Sequence, residues 1–272
     1  MALPALILPI LLAILAIDSL LEVGFIGSMV GYLHHCNGDT PFQIASTAST
    51  PQFGLFPKPA HILVNQGHTS NGAAGTALIL VCVLGALVLW LDKRGRKRSG
   101  SVYTHVRTTS DPQGNTHTMK SRNLPSNFGW LYPTWVVFTV LSFLLTLSAL
   151  IYTFVVTHQT DSSHSRINLS TAAATSKLTV AGHVAPYPDD TWTPENWYKA
   201  MLKLAFVDEG QKGDIRTHVR LMEGWRWNLI PLLLLGFAVM VIAIMGYMEK
   251  RRGGAAGGRR TVQEKHISAT SE

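Results

Sequence analysis

The chain has 272 residues, of which 47% are hydrophobic and only 14% charged, and a formal net charge of +7. That apolar content excludes an intrinsically disordered protein, and two cysteines exclude a disulfide-built framework. The apolar residues are gathered into four long runs, so the composition describes one small helical membrane bundle with loops. The excess positive charge, which sits directly beside those runs, gives no argument for nucleic acid.

The first run, ALPALILPILLAILAI from Ala2 to Ile17, continues through DSLLEVGFIGSMVGYL, and residues 1–31 are assigned to a first transmembrane segment. It lacks a basic leader region and a small-x-small cleavage site, so a retained span is expected rather than a removed signal peptide. Asp18 and Glu22 lie four apart, hence on one helical face. A carboxylate in a bilayer is costly and marks a proton relay, an ion site or a partner for a basic group. The other three runs contain no Lys, Arg or His to act as that partner. The alternative is a span from Ala2 to about Leu21, which places both acids near the outer interface. Gly27 with Gly31, and Gly24 with Ser28, are small-x-x-x-small pairs that permit close helix approach.

Residues 32–71 form a first outer loop. His34, His35 and Cys36 open it, and His61 and His68 follow; His158, His164, His183 and His218 lie in the later outer loop. Imidazole and thiolate are zinc and copper ligands, but adjacent histidines do not easily face one tetrahedral ion and the other spacings match no compact ligand set. No metal site and no cofactor are expected. Neither Cys36, outside the first span, nor Cys82, inside the second, reads as half of a structural bridge.

The second span, 72–91, ends in Trp90 and runs into DKRGRKR. The inner segment 92–134 holds eight Lys or Arg against Asp92 and Asp111. Lys93, Arg94, Arg96, Lys97 and Arg98 stand at the membrane edge, where each basic residue gains about 1 kcal/mol from anionic lipid. Ser99 and Ser101 each have an Arg three positions earlier, and phosphorylation there would weaken that attraction. The rest of the segment, rich in Gly, Ser and Thr, reads as largely disordered.

The third span, 135–156, is preceded by Trp130, Tyr132 and Pro133. The second outer loop, 157–227, contains the only N-x-S/T sequon, Asn168-Leu169-Ser170, a candidate glycosylation site. In TPENWYKAMLKLAF, Thr193 is an N-cap, Pro194 takes the first helical position and Glu195 complements the dipole. Trp197, Met201 and Leu204 follow at helical spacing, which predicts an amphipathic helix near 193–207 lying on the membrane or on the bundle. DEGQKG breaks it, and Asp214 caps a second helix near 214–223 whose Arg216 and Arg220 share a solvated face.

The fourth span, 228–248, follows GWRW. Trp225 and Trp227 belong at one headgroup level and Tyr247 at the other, with Arg226 snorkelling outward and Pro231 in the first helical turn. Five of the seven tryptophans flank apolar runs, as in an aromatic belt. The tail 249–272 carries six basic residues against three acidic ones and reads as disordered. The two outer loops hold nine basic and nine acidic residues, so the charge asymmetry places the 92–134 segment and both termini in the cytoplasm.

The order TPENWYKAML, DIRTHVRLMEGWRWNLIPL and an apolar span resembles uncharacterised multi-span membrane proteins of filamentous ascomycete fungi. The likeness covers mainly residues 191–250 and implies no activity, substrate or catalytic residue. In topology the chain is similar to tetraspan organisers of the claudin-like and MARVEL type, whose signature residues it does not carry.

No phosphate loop, GxSxG, HExxH or paired-cysteine pattern is present in the sequence, so an enzyme is not expected. The reading is an all-α, four-helix membrane protein acting as an accessory, scaffold or organiser subunit in a fungal plasma membrane or endomembrane. Its expected partners are lipids and either another membrane protein or a second copy of itself. A small oligomeric transporter or channel-like protein using Asp18 and Glu22 is the alternative, and an intramembrane enzyme a distant second.

Overall fold

A computed structural model describes the backbone of residues 3–35, 40–48, 50–102, 108–110, 116–118, 130–161, 166–180 and 182–269; for 3–6, 96–102, 108–110, 116–118 and 252–269 the backbone alone is described. It is mostly helical, with four helices long and apolar enough to cross a membrane. The first is α1, Leu3–His35. The second crossing is compound: α2 (Asn65–Thr76) passes through a π-helical segment, Ala77–Val83, into α3 (Leu84–Val102). The third is α4, Leu131–Asp161, and the fourth belongs to α7, Glu209–Ala269.

The crossings run up and down in sequence, as pairings between distant residues fix. Gly224 of α7 lies against Phe25 of α1, and Trp227 meets Phe154 of α4 edge-on. Further along the same antiparallel pair, Phe237 meets Phe143. Both α1 and α4 pack on α7 and on the α2–α3 unit, which gives a four-cornered bundle.

Lipid supplies no hydrophobic drive between helices, so close packing does the work inside the bundle. Trp135 is fully buried and lies over Gly85, where an added Cβ would stand 2.7 Å from the indole Nε1. Its N–H donates to the Val81 carbonyl at 2.9 Å. That carbonyl lies in the π segment, whose wider turn disturbs the ordinary ladder and leaves room for a side-chain donor. Beside it on α4, with the two rings edge to face, the Tyr132 hydroxyl donates to Ala243 O, and Gly246 leaves space for that hydroxyl. Lys250 sits over the Tyr132 ring and pairs with Asp92 at 3.1 Å, joining three helices at one end of the bundle. The other small residues behave differently: a Cβ at Gly24, Gly27, Gly31, Gly75 or Gly236 would meet nothing.

At one end of the bundle the two segments that charge assigns to the outer side fold together, into what is called the outer domain after that assignment. Strands β1 (Phe42–Ile44) and β2 (Phe53–Leu55) make a hairpin, and Ile44 bridges to Phe206. The second outer segment adds α5 (Leu169–Thr175) and α6 (Pro194–Met201). Backbone hydrogen bonds then tie the two together: Ala60 to Tyr187, Leu63 and His61 to Trp192, Ala45 to Ala205 and Val207 to Gln43. Their shared core holds Phe53, Leu55, Tyr187, Trp192, Trp197 and Met201, resting on Met29 and Leu33 of α1 and Ile215 to Trp225 of α7.

Several local expectations change. The amphipathic helix ends at Met201, because the chain from 202 turns to pair Phe206 with Ile44. Its apolar face lies on neither lipid nor the bundle alone: Trp197, Tyr198 and Met201 are buried in the outer core. The predicted helix at 214–223 and the span at 228–248 are one helix, which starts at Glu209. Asp208 Oδ1, not Asp214, accepts from an early backbone N–H, that of Gly210, at 2.8 Å. Gly210 and Gly213 each cost about 1 kcal/mol in a helix. Burial of Ile215, Val219, Met222 and Trp225 along one stripe offsets that several-fold. Helix also continues to Val102 and to Ala269, where irregular chain was expected, since extending an existing helix needs no new nucleus. A short hairpin pairs Thr108–Ser110 with Thr116–Thr118.

Candidate functional site

The tryptophans divide into two sets. Trp90, Trp130 and Trp227 are exposed, as belt residues should be, whereas Trp135 and Trp225 turn into the protein. Position beside an apolar run does not reveal which way an indole faces.

The intramembrane carboxylates lie inward. Asp18 is 9% exposed and Glu22 fully buried, on the face of α1 that also carries Leu15, Ser19 and Ile26. Asn228, the residue after the belt tryptophan Trp227, donates its Nδ2 to Glu22 Oε2 at 3.0 Å and to the Asp18 carbonyl at 3.4 Å. The pair therefore lies level with the start of the apolar run of the fourth helix, midway along α1, and is buried in protein. Glu22 Oε1, Asp18 Oδ2 and Ser19 Oγ are buried without a hydrogen-bond partner. Among the described residues neither carboxylate has an ion-pair partner.

A second polar line crosses the bundle. Thr139, Ser142, Thr146, Thr153, Thr157 and Thr160 of α4 are all buried. Thr153 meets Ser70 of α2 at 3.3 Å, and most of the remaining hydroxyls bond carbonyls of their own helix. The recurrence of Ser and Thr every three or four positions was the signal for the whole stripe.

At the outer boundary, α6 fastens the outer domain to the bundle. Thr193 Oγ1 caps it by accepting from Asn196 N–H, with Pro194 next. Asn196 then reaches α4, donating to the Thr157 carbonyl and Thr160 Oγ1, both at 2.8 Å. Glu195, 3% exposed, accepts from Lys199 at 2.6 Å and meets Arg226 of α7 at 3.1 Å. Lys199 also pairs with Glu223. Burial alone would lower the Lys199 ammonium, but Glu195 and Glu223 outweigh it and hold the group above the usual lysine range. Arg226 does not snorkel into bulk water: its guanidinium lies near the Phe154 and Trp227 rings and bonds Glu195.

The sequon lies in the outer domain. Asn168 is exposed and caps α5, its Oδ1 accepting from Ser170 N–H and hydroxyl and from Thr171 N–H. Its own N–H donates to the Tyr187 hydroxyl, and burial pushes that phenol above its ordinary value.

On the inner extension of α3, Lys93 and Arg94 are exposed, and Arg94 stacks on Trp90 at 5.1 Å. Arg96, Lys97, Arg98, Ser99 and Ser101 lie on the same helical backbone, with side chains outside the described residues. Cys36 lies outside the described residues, while Cys82 is a buried free thiol. His34, His35, His61, His68 and His158 are exposed; His218 stacks on Tyr32 at 3.6 Å. Among the described residues no three His, Cys, Asp or Glu gather as metal ligands.

No known protein family matches this chain, nor does any curated protein or solved structure.

Proposed function

We propose that this chain is a non-enzymatic accessory or organiser subunit: a tetraspan protein with both termini on the cytoplasmic side, holding a rigid outer domain against a membrane partner. The observation that carries the reading is the joint construction of that domain from both outer segments, together with its attachment through Glu195, Asn196 and Lys199 to α4 and α7. A polar loop left free in water needs none of this. A domain held in fixed register with the bilayer suits recognition of something else in the same membrane. The likeness of residues 191–250 to ascomycete membrane proteins directs the search to fungal membranes, and Asn168 is the candidate glycan site on the recognising side.

A small transporter or channel-like assembly is the second reading. It draws on the buried Glu22 and on the π segment, since broken helices and intramembrane carboxylates are features that transport sites use.

One experiment separates them. A C-terminally tagged chain, extracted from its native membrane in mild detergent, is purified and its co-eluting proteins weighed against it. The accessory reading expects one membrane protein in stoichiometric amount, lost from N196A, which loosens the outer domain from α4. Recovery of the folded chain alone, or as a homo-oligomer, would overturn it in favour of the second reading.

A further inference from the structure

We propose that the turn of α1 carrying Asp18, Ser19 and Glu22, closed by Asn228 of α7, binds a divalent cation of the calcium class. At 3.6 residues per turn the three α1 side chains fall within an arc of about 100°. All three are nine-tenths buried or more, and each presents an oxygen without a hydrogen-bond partner. Asn228, which hydrogen-bonds this turn from α7, is spent on Glu22 Oε2 and the Asp18 carbonyl.

Ser19 is the independent observation. Buried hydroxyls in these spans commonly return to their own helix: Ser70 donates to Gln66 O, Thr139 to Val136 O, Thr146 to Ser142 O and Thr160 to Val156 O. Ser19 is fully buried and makes no such bond, so its oxygen is held in reserve on the turn shared by the two acids.

Charge names the ligand. Two carboxylates face the interior with no ion pair, and the basic residue nearest in sequence to Asn228, Arg226, is committed to Glu195. Buried acids of this kind either keep their protons or share a cation, and when both are ionised one divalent ion balances them and takes up the spare Ser19 oxygen. The donors are all oxygen, which selects a hard cation over zinc or copper. Magnesium gives up its water reluctantly and demands octahedral geometry, so a tight protein-lined turn favours calcium. The site adjoins the outer-domain end of the bundle, because Asn228 follows the belt residue Trp227, and the ion enters from that side.

The test uses the purified full-length chain in nanodiscs after chelation, with the unfolding midpoint followed by tryptophan fluorescence. Calcium should raise the midpoint saturably, whereas magnesium, sodium and choline chlorides at equal ionic strength should not. E22Q keeps an oxygen for Asn228, so it should fold and lose the calcium response. D18N should lose it too, and S19A should need several-fold more calcium for the same shift. An equal rise with sodium or choline, or an undiminished calcium response in both D18N and E22Q, would overturn the proposal. If neither acid variant folds, calorimetric titration of the native chain decides: stoichiometric calcium heat weakened in S19A supports the site, and no calcium heat ends it.

Discussion

Trp135 and Gly85 lock the second and third spans together: the indole occupies the place of the missing Cβ and donates its N–H to Val81, one turn away in the π segment. The break in regular helix at Ala77–Val83 is thus matched by a donor from a neighbouring helix.

Filling that space should separate the helices. G85A is expected to cost about 1–3 kcal/mol by overpacking, and G85V more. W135F, which removes the donor and keeps most of the ring, should cost about 1 kcal/mol. Unfolding in graded SDS would rank G85V, G85A and W135F in that order; a neutral G85A would mean that the close approach has no energetic weight.

Glu195 serves two cations at once, so its loss should release the outer domain before the bundle. With Lys199 and Arg226 only partly buried, E195A should cost about 1–3 kcal/mol, between an exposed and a buried pair. Limited proteolysis should show cleavage near residues 202–208 rising while the four spans stay protected.

Lys199 gives the same contact a pH dependence. Its folded value lies above the unfolded 10.5, so the stabilisation is fully present below that value and is lost as pH rises through the folded one. Outer-domain protection from proteolysis, read with an alkali-tolerant protease, should hold across neutral pH and fall in the alkaline range. K199M should abolish that fall.

The sequon tests the proposed topology without confusing glycan with fold. N168D retains an N-cap and removes the acceptor, whereas N168A removes both and should cost about 1 kcal/mol in addition. An endoglycosidase shift in the parent and none in N168D would place the outer domain outside the cytoplasm; glycosylation at a sequon engineered into the 92–134 segment would reverse the orientation.

Trp197 holds the outer core, with its N–H on the Pro57 carbonyl at 2.8 Å and its ring against Trp192 and Tyr187. W197A is expected to cost about 3–5 kcal/mol, enough to unfold that domain while leaving the spans helical. Loss of the near-ultraviolet aromatic circular dichroism with unchanged far-ultraviolet helicity is the signature to measure.

The four crossings were legible because length and apolarity alone decide them, and the cap at Thr193 because Thr-Pro-Glu satisfies a helix start locally. What escaped the sequence depends on partners far away in the chain. The start at Asp208 was hidden because the glycines of DEGQKG signal a break, and only the buried stripe from Ile215 to Trp225 outweighs them. The π segment has no signature in ALILVCV; Trp135, more than fifty positions later, completes it. Asp18 and Glu22 were visible as a pair. That Asn228 would close over them followed from the antiparallel register of α1 and α7, which no local pattern encodes.

The pairing of Ile44 with Phe206 also sets a timetable for biogenesis. At a synthesis rate of about 5–20 residues per second, the first outer hairpin emerges roughly 8–30 s before the strand that completes its core. During that interval Phe53 and Leu55 lack the aromatic residues of the later segment, and the second and third spans are made. Assembly of the domain is therefore a late event that waits for the second segment and the last helix, and until then its apolar residues are open to chaperones. Two half-molecules divided in the inner segment should each remain immature when made alone and rescue one another when made together.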